Sequence, residues 1–232
     1  MGQTVGREIV LDTETTGLDP SGGHRIVEIG CVELINLVPS GRTFHTYVNP
    51  KRFMPKAAFA VHGLSQAFLA NHPVFEDVAS DFLSFVEGAP LVIHNASFDM
   101  KFLQAELALM DQKLLDNEVV DTLMLARKKF PGAPASLDML CRRFAIDASK
   151  REKHGALLDA ELLASVYLEL CGGRQPTLTL ASKIGQTRAS KIQETTTQKI
   201  AHLKPRSFPV EEAEKTEHKT VLRKIKAAHW SS

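Results

Sequence analysis

Five of the seven residues from Ile9 to Thr15 are apolar or β-branched (Ile9, Val10, Leu11, Thr13 and Thr15), and they predict a first strand. Ile26 to Ile35 (IVEIGCVELI) predicts a second strand and Thr43 to Val48 a third, with Pro39-Ser40-Gly41 as the hairpin connection between them. Strands this close in sequence form an antiparallel meander, because a parallel neighbour needs a longer crossover. The period then lengthens. Phe75, Val78, Phe82, Phe85 and Val86 recur at helical spacing and predict an amphipathic helix, ended by Gly88-Ala89-Pro90. Leu91-Val92-Ile93 reads as a buried strand that opens through HNASFD into a helix reaching Met110. Glu118 to Asp121 is a strand end, with Asp121 capping a helix over Thr122 to Lys129. Phe130-Pro131-Gly132 breaks that helix, Ser136 to Phe144 makes another, and a long one runs from Ala156 to Leu170 before Gly172-Gly173. Between Phe53 and Ala70 neither period is clear.

Charge divides the chain where the periodicity stops. Residues 1–173 hold 16 of the 28 Lys and Arg and 22 of the 27 Asp and Glu, a net of −6, whereas residues 174–232 carry +7. An acidic body binds nucleic-acid phosphate weakly by itself. The expected organisation is a domain over 1–173, a Thr-, Ser-, Gln- and Lys-rich flexible linker over 174–208, and a C-terminal segment over 209–232. In that last segment a short helix is predicted, with Glu211, Glu212 and Glu214 near its start and Arg223, Lys224 and Lys226 near its end, matching the helix dipole. A helix this short beyond a linker is marginal in water, so Val221, Leu222, Ile225 and Trp230 read as a surface for a partner; the alternative is a tail folding back on the body. Cys31, Cys141 and Cys171 are scattered and form no CxxC, which speaks against a disulfide framework or a zinc site. No apolar run approaches 18 residues and no signal peptide is present, so a cytoplasmic protein without membrane association is expected.

The chemistry gathers on carboxylates. Side chains alternate along a strand, so Asp12 and Glu14 share a face. They are either two solvated acids on a surface strand or a buried pair, and a buried pair calls for a divalent cation on hard oxygen ligands. Gly17 follows, where backbone could approach a ligand. Asp99 falls in the first turn after the Leu91 strand, at a strand end where α/β sheets bind ligands, although an acid there also suits the helix dipole. Counting back from Leu162 and Leu163 lands on Asp159, an acid on a core-facing stripe that demands compensation. His154 precedes it at the helix start and is the natural general base. His62 alone reads as structural. Four carboxylates balance two divalent cations, magnesium or manganese for an all-oxygen site, and such a pair suits phosphodiester hydrolysis. No phosphate-loop motif is present, which excludes a nucleotide-driven motor.

DTETTG, HNASFD and the His154-x4-Asp159 spacing, in that order, resemble the three motifs of the DEDDh family of 3′→5′ exonucleases. SLDMLCRRF and HGALLDAELLASVYLEL extend the resemblance to the proofreading branch of that family, which works within bacterial DNA polymerase III. The resemblance implies an α/β, RNase H-like fold: a central mixed five-stranded sheet, three early strands antiparallel, flanked by helices. It implies Asp12, Glu14, Asp99 and Asp159 as metal ligands, His154 as base, and two Mg²⁺ or Mn²⁺ ions. Thr15, Gly17, His62, His94, Asn95 and Phe98 would lie around the DNA 3′ terminus, which moves His62 to a substrate-facing role. Gln175 to Leu180 resembles a sliding-clamp motif, and 209–232 resembles a segment that anchors such exonucleases to the polymerase III alpha subunit. A small accessory core subunit is a further partner of that branch. The acids themselves do not separate DNA from RNA, since RNA selection needs contacts to the 2′-hydroxyl.

Overall fold

Five strands form one mixed sheet in the computed structural model, which describes residues 6–149, 151, 153–173 and 212–224. They are β1 (Arg7–Thr15), β2 (Ile26–Ile35), β3 (Val38–Tyr47), β4 (Leu91–Ile93) and β5 (Val119–Asp121), in the order β3-β2-β1-β4-β5. The β1–β2 and β2–β3 pairs are antiparallel, as the early meander predicts, and β1–β4 and β4–β5 are parallel. The long crossovers that parallel pairing requires are helical.

The alternation along β1 assigns each face of the sheet. Ile9 and Leu11 face a core built with α3 (Phe75–Val86) and α4 (Ala96–Leu109), in which Phe75, Phe82, Phe102 and Leu103 are fully buried. Val10 and its neighbours Val32, Leu34 and Val92 face the other core, with α5 (Thr122–Lys129), α6 (Leu137–Arg143) and α7 (Ala156–Leu170). Asp12 and Glu14 continue the Val10 row, so they run out of the α7-side core at the end of the strand. Gly30 of β2 pairs with Asp12 and lets α7 lie close on the sheet at that level.

Two stretches depart from the sequence expectation. The β2–β3 turn is at Asn36 and Leu37, with φ of 52° and 68°, and not at Pro39-Ser40-Gly41. Pro39 already pairs with Leu34, and an irregularity between Val32 and Leu34 absorbs Ser40 to Arg42. β3 is an edge strand, where a proline is tolerated. The stretch without a clear period contains two short helices, α1 (Lys56–His62) and α2 (Gln66–Leu69), which close over Val27, Met54 and Leu69. His62 therefore ends a helix, capped by Gly63 in the left-handed region. Asp121 caps α5 as expected, accepting from Leu123 N at 2.8 Å, and its carboxylate also accepts from the backbone of Asn95 and Ala96 at the start of α4.

By contact the chain divides into two units, 1–178 and 179–232. In the second, α8 (Glu212–Lys224) carries Glu212 and Glu214 in its first turn, and Glu212 pairs with Lys215 at 2.6 Å. The clamp-like stretch 175–180 and the linker 174–208 lie outside the described residues, as do 209–211 and 225–232. None of the described helices is long and apolar enough to cross a membrane.

Candidate active site

Three elements deliver the acids. β1 ends in Asp12 and Glu14; α4 and α7 each hold an acid in the first turn, Asp99 and Asp159. All four line one cleft of about 290 Å³ together with His94, Asn95, Phe98 and His154. An adjoining cavity of about 740 Å³ shares Thr13, Glu14 and Phe98 with it and adds Thr15, Gly17 and His62. Every residue singled out in the sequence thus borders one of two connected spaces. Oxygens of Glu14 and Asp159 and a ring nitrogen of His154 all lie within 4.8 Å of one another, a spacing that could hold a metal ion.

The electrostatics separate these acids from the fold's other buried acids. Glu33 is held by Arg7 at 2.7 Å and Arg42 at 2.9 Å, Glu106 by a two-pronged Arg25, and Glu28 by His45. The arginine contacts are structural ion pairs. Asp12 has no such partner: burial first, and then the charges of Asp99, Glu14 and Asp159, push its pKa well above the ordinary value. Burial, with Asp159 and Glu28 close by, lifts Glu14 to about 8. Burial lifts Asp99 to about 7, against the bonds it accepts from Thr13 N at 3.0 Å and Thr13 Oγ1 at 2.7 Å. Asp159 alone goes the other way. Its burial is outweighed by His154 and Arg151, which hold it below the usual range. Excess buried negative charge beside oxygen and imidazole donors is what a divalent cation would relieve, so the residues present fit such an ion.

The other predicted residues sit as follows. His154 is half exposed, with Nδ1 at 3.2 Å from Asp159 Oδ2. His94 Nδ1 meets Thr122 Oγ1 at 2.9 Å, and burial depresses its pKa. Asn95 is exposed in the left-handed region ahead of α4, and Phe98 packs on Phe102 with centroids 5.1 Å apart. His62 accepts from Leu64 N through Nδ1 at 3.0 Å, which in the neutral ring puts its proton on Nε2, and the Thr15 backbone is close by. At Gly17 a Cβ would lie 2.3 Å from the ring of His24, so the absent side chain also makes room for that histidine. Thr15 Oγ1 donates to the Gly17 carbonyl at 2.6 Å and fixes this turn.

The sequence reading passed over Arg151 and Thr13. Arg151 is buried and grips both oxygens of Asp159, Nε to Oδ1 at 2.5 Å and Nη2 to Oδ2 at 2.7 Å. The signal was present, because a buried acid on a helix face needs a cation and Arg151 lies just upstream. Thr13 lies between Asp12 and Glu14 on the opposite face of β1, where it meets Asp99.

A family model described as exonuclease matches residues 9–167, and the chain belongs to that family. Within it, the chain is similar to proteins named DNA polymerase III subunit epsilon. It is 49% identical to that of Rickettsia conorii over 94% of this chain and 96% of the relative. The Escherichia coli relative is 47% identical over 75% of each. Among solved structures, exonuclease X in complex with 5′ overhanging duplex DNA is 27% identical with a TM-score of 0.55, over 70% of this chain and 90% of that one. The nuclease domain of 3′hExo, a DEDDh family member, has a TM-score of 0.62 at 19% identity, over 76% and 98%, and shares the fold. The fold is the RNase H-like fold of the DEDDh exonucleases, a family whose members depend on divalent metal.

Proposed function

We propose that this protein is the 3′→5′ proofreading exonuclease of a bacterial replicase, the epsilon subunit of the DNA polymerase III core, removing mispaired 3′-terminal nucleotides. The observation that carries this reading is the convergence of Asp12, Glu14, Asp99 and Asp159 on one cleft with His154 beside them. In this reading the four carboxylates hold two Mg²⁺ or Mn²⁺ ions. Bound there, the ions would polarise the scissile phosphodiester and activate the attacking water. His154 takes the proton from that water, and its half-exposed ring can pass it to solvent. Thr15, Gly17, His62, His94, Asn95 and Phe98 surround the terminal nucleotide. His62 Nε2–H supplies a donor, and the Phe98 ring supplies a face for a base. A mismatched end frays at lower cost than a paired one, which supports selectivity for errors.

The body over 1–173 does the hydrolysis, 174–208 acts as a linker, and 209–232 docks on the polymerase alpha subunit. Residues 175–180 touch the sliding clamp, and a small accessory subunit binds the body. The acidic body and basic tail support this division, since the body gains little from phosphate attraction and depends on the replicase to deliver DNA. Its place is then the cytoplasm, at the replisome. The test is digestion of 3′-labelled DNA and RNA of one sequence with magnesium and with EDTA. Magnesium-dependent release of the DNA terminus, with RNA much slower, is expected; a preference for RNA would overturn the proofreading reading.

A further inference from the structure

Both oxygens of Asp159 are taken. Arg151 binds them through Nε and Nη2, its Nη1 donates to Asp138, and its side chain is 8% exposed. Nη2 also reaches His154 Nδ1 at 2.7 Å. The same Nδ1 lies 3.2 Å from Asp159 Oδ2, so guanidinium, imidazole and carboxylate form one cluster. The same guanidinium is the cation that offsets the charge of Asp12 and Glu14.

A divalent ion bound through Asp159 needs at least one of the oxygens that Arg151 occupies, and it would have to sit beside a fixed positive charge. We infer that Arg151 is the site's own counterion in the metal-free state and competes with the divalent ion for Asp159. Arg151 is thereby a positioning residue that holds Asp159 until a metal ion takes over its oxygens. The buried fork suits this role because it protects the acids from mutual repulsion without a metal, at the cost of metal affinity. This inference rests on the metal-dependent reading above.

The test is Mn²⁺ binding to the full-length wild type, Arg151→Lys and Arg151→Gln, measured calorimetrically and as free Mn²⁺ by electron paramagnetic resonance. The Gln variant should bind Mn²⁺ about tenfold more tightly than wild type, with Lys between them, while its metal-free Tm falls. Unchanged or weaker Mn²⁺ binding by the Gln variant would overturn the competition. If that variant does not fold, the wild type decides. Its Arg151 Nε–H resonance should shift when Mg²⁺ is added, and a resonance that stays in place through saturation would overturn the inference. Absence of any Mn²⁺ or Mg²⁺ binding by wild type would instead overturn the metal-dependent reading on which it rests.

Discussion

A Cβ on Gly30 would lie 2.2 Å from the backbone nitrogen of Leu157, so β2 and the start of α7 meet where only glycine fits. Gly30 also pairs with Asp12, and α7 carries Asp159 in the same first turn, two residues further on. One close contact therefore sets how near the acids of β1 and α7 stand. Gly30→Ala should push α7 outward, costing roughly 1–3 kcal/mol of stability through overpacking. A displacement of about 1 Å at the acids should lower kcat by about a hundredfold. Thermal unfolding and digestion of a single-stranded oligonucleotide measure the two effects; an unchanged kcat would show that the helix start does not set the site.

The charge of the site gives a pH dependence with a definite sign. Burial and neighbouring acids raise Glu14 to about 8, and burial raises Asp99 to about 7. In the unfolded chain both ionise near pH 4. Their contribution to metal-free stability is therefore full below about pH 4 and lost as pH rises through about 7 to 8. Divalent ions bind the ionised carboxylates, so Mn²⁺ should raise Tm more at about pH 8.5 than at about pH 6. Equal Mn²⁺ shifts at the two pH values would contradict the shifted acids.

Removal of residues 174–232 should leave hydrolysis of single-stranded DNA intact and abolish binding to the polymerase alpha subunit. Gel filtration of the truncated protein with alpha reads this directly. Co-elution would move the docking surface onto the body.

How much of this was legible in the sequence follows from where the signals are local. Asp12 and Glu14 share a face because strands alternate, and Asp159 falls on the core stripe of α7 because helices repeat; both follow from spacing alone. The ends of α3 and the capping role of Asp121 were equally readable, since Gly88-Ala89-Pro90 and an acid before Thr122 mark them. The β2–β3 turn was not. Leu37 adopts φ of 68° with no glycine to announce it, while Pro39-Ser40-Gly41, a stronger turn signal, was absorbed into an edge strand. α1 starts at Pro55 without a side-chain cap, so nothing local marks its beginning. Arg151 and the His24 ring beside Gly17 were hidden for another reason. Arg151 was signalled only by the need of Asp159 for a cation, and its fork, like the fit of His24 against Gly17, is a contact that packing reveals.

The central claim is that the four acids of the cleft are arranged for metal-assisted cleavage at a DNA 3′ end. The most direct measurement is release of the terminal nucleotide from a 3′-labelled single-stranded oligonucleotide by wild type and Asp12→Asn, both in magnesium. Asparagine keeps the size of the side chain and removes one of the charges that repel each other. The account predicts that the variant folds with a metal-free Tm at least as high as wild type and loses activity by about a thousandfold or more. Release at the wild-type rate by the folded variant would contradict it.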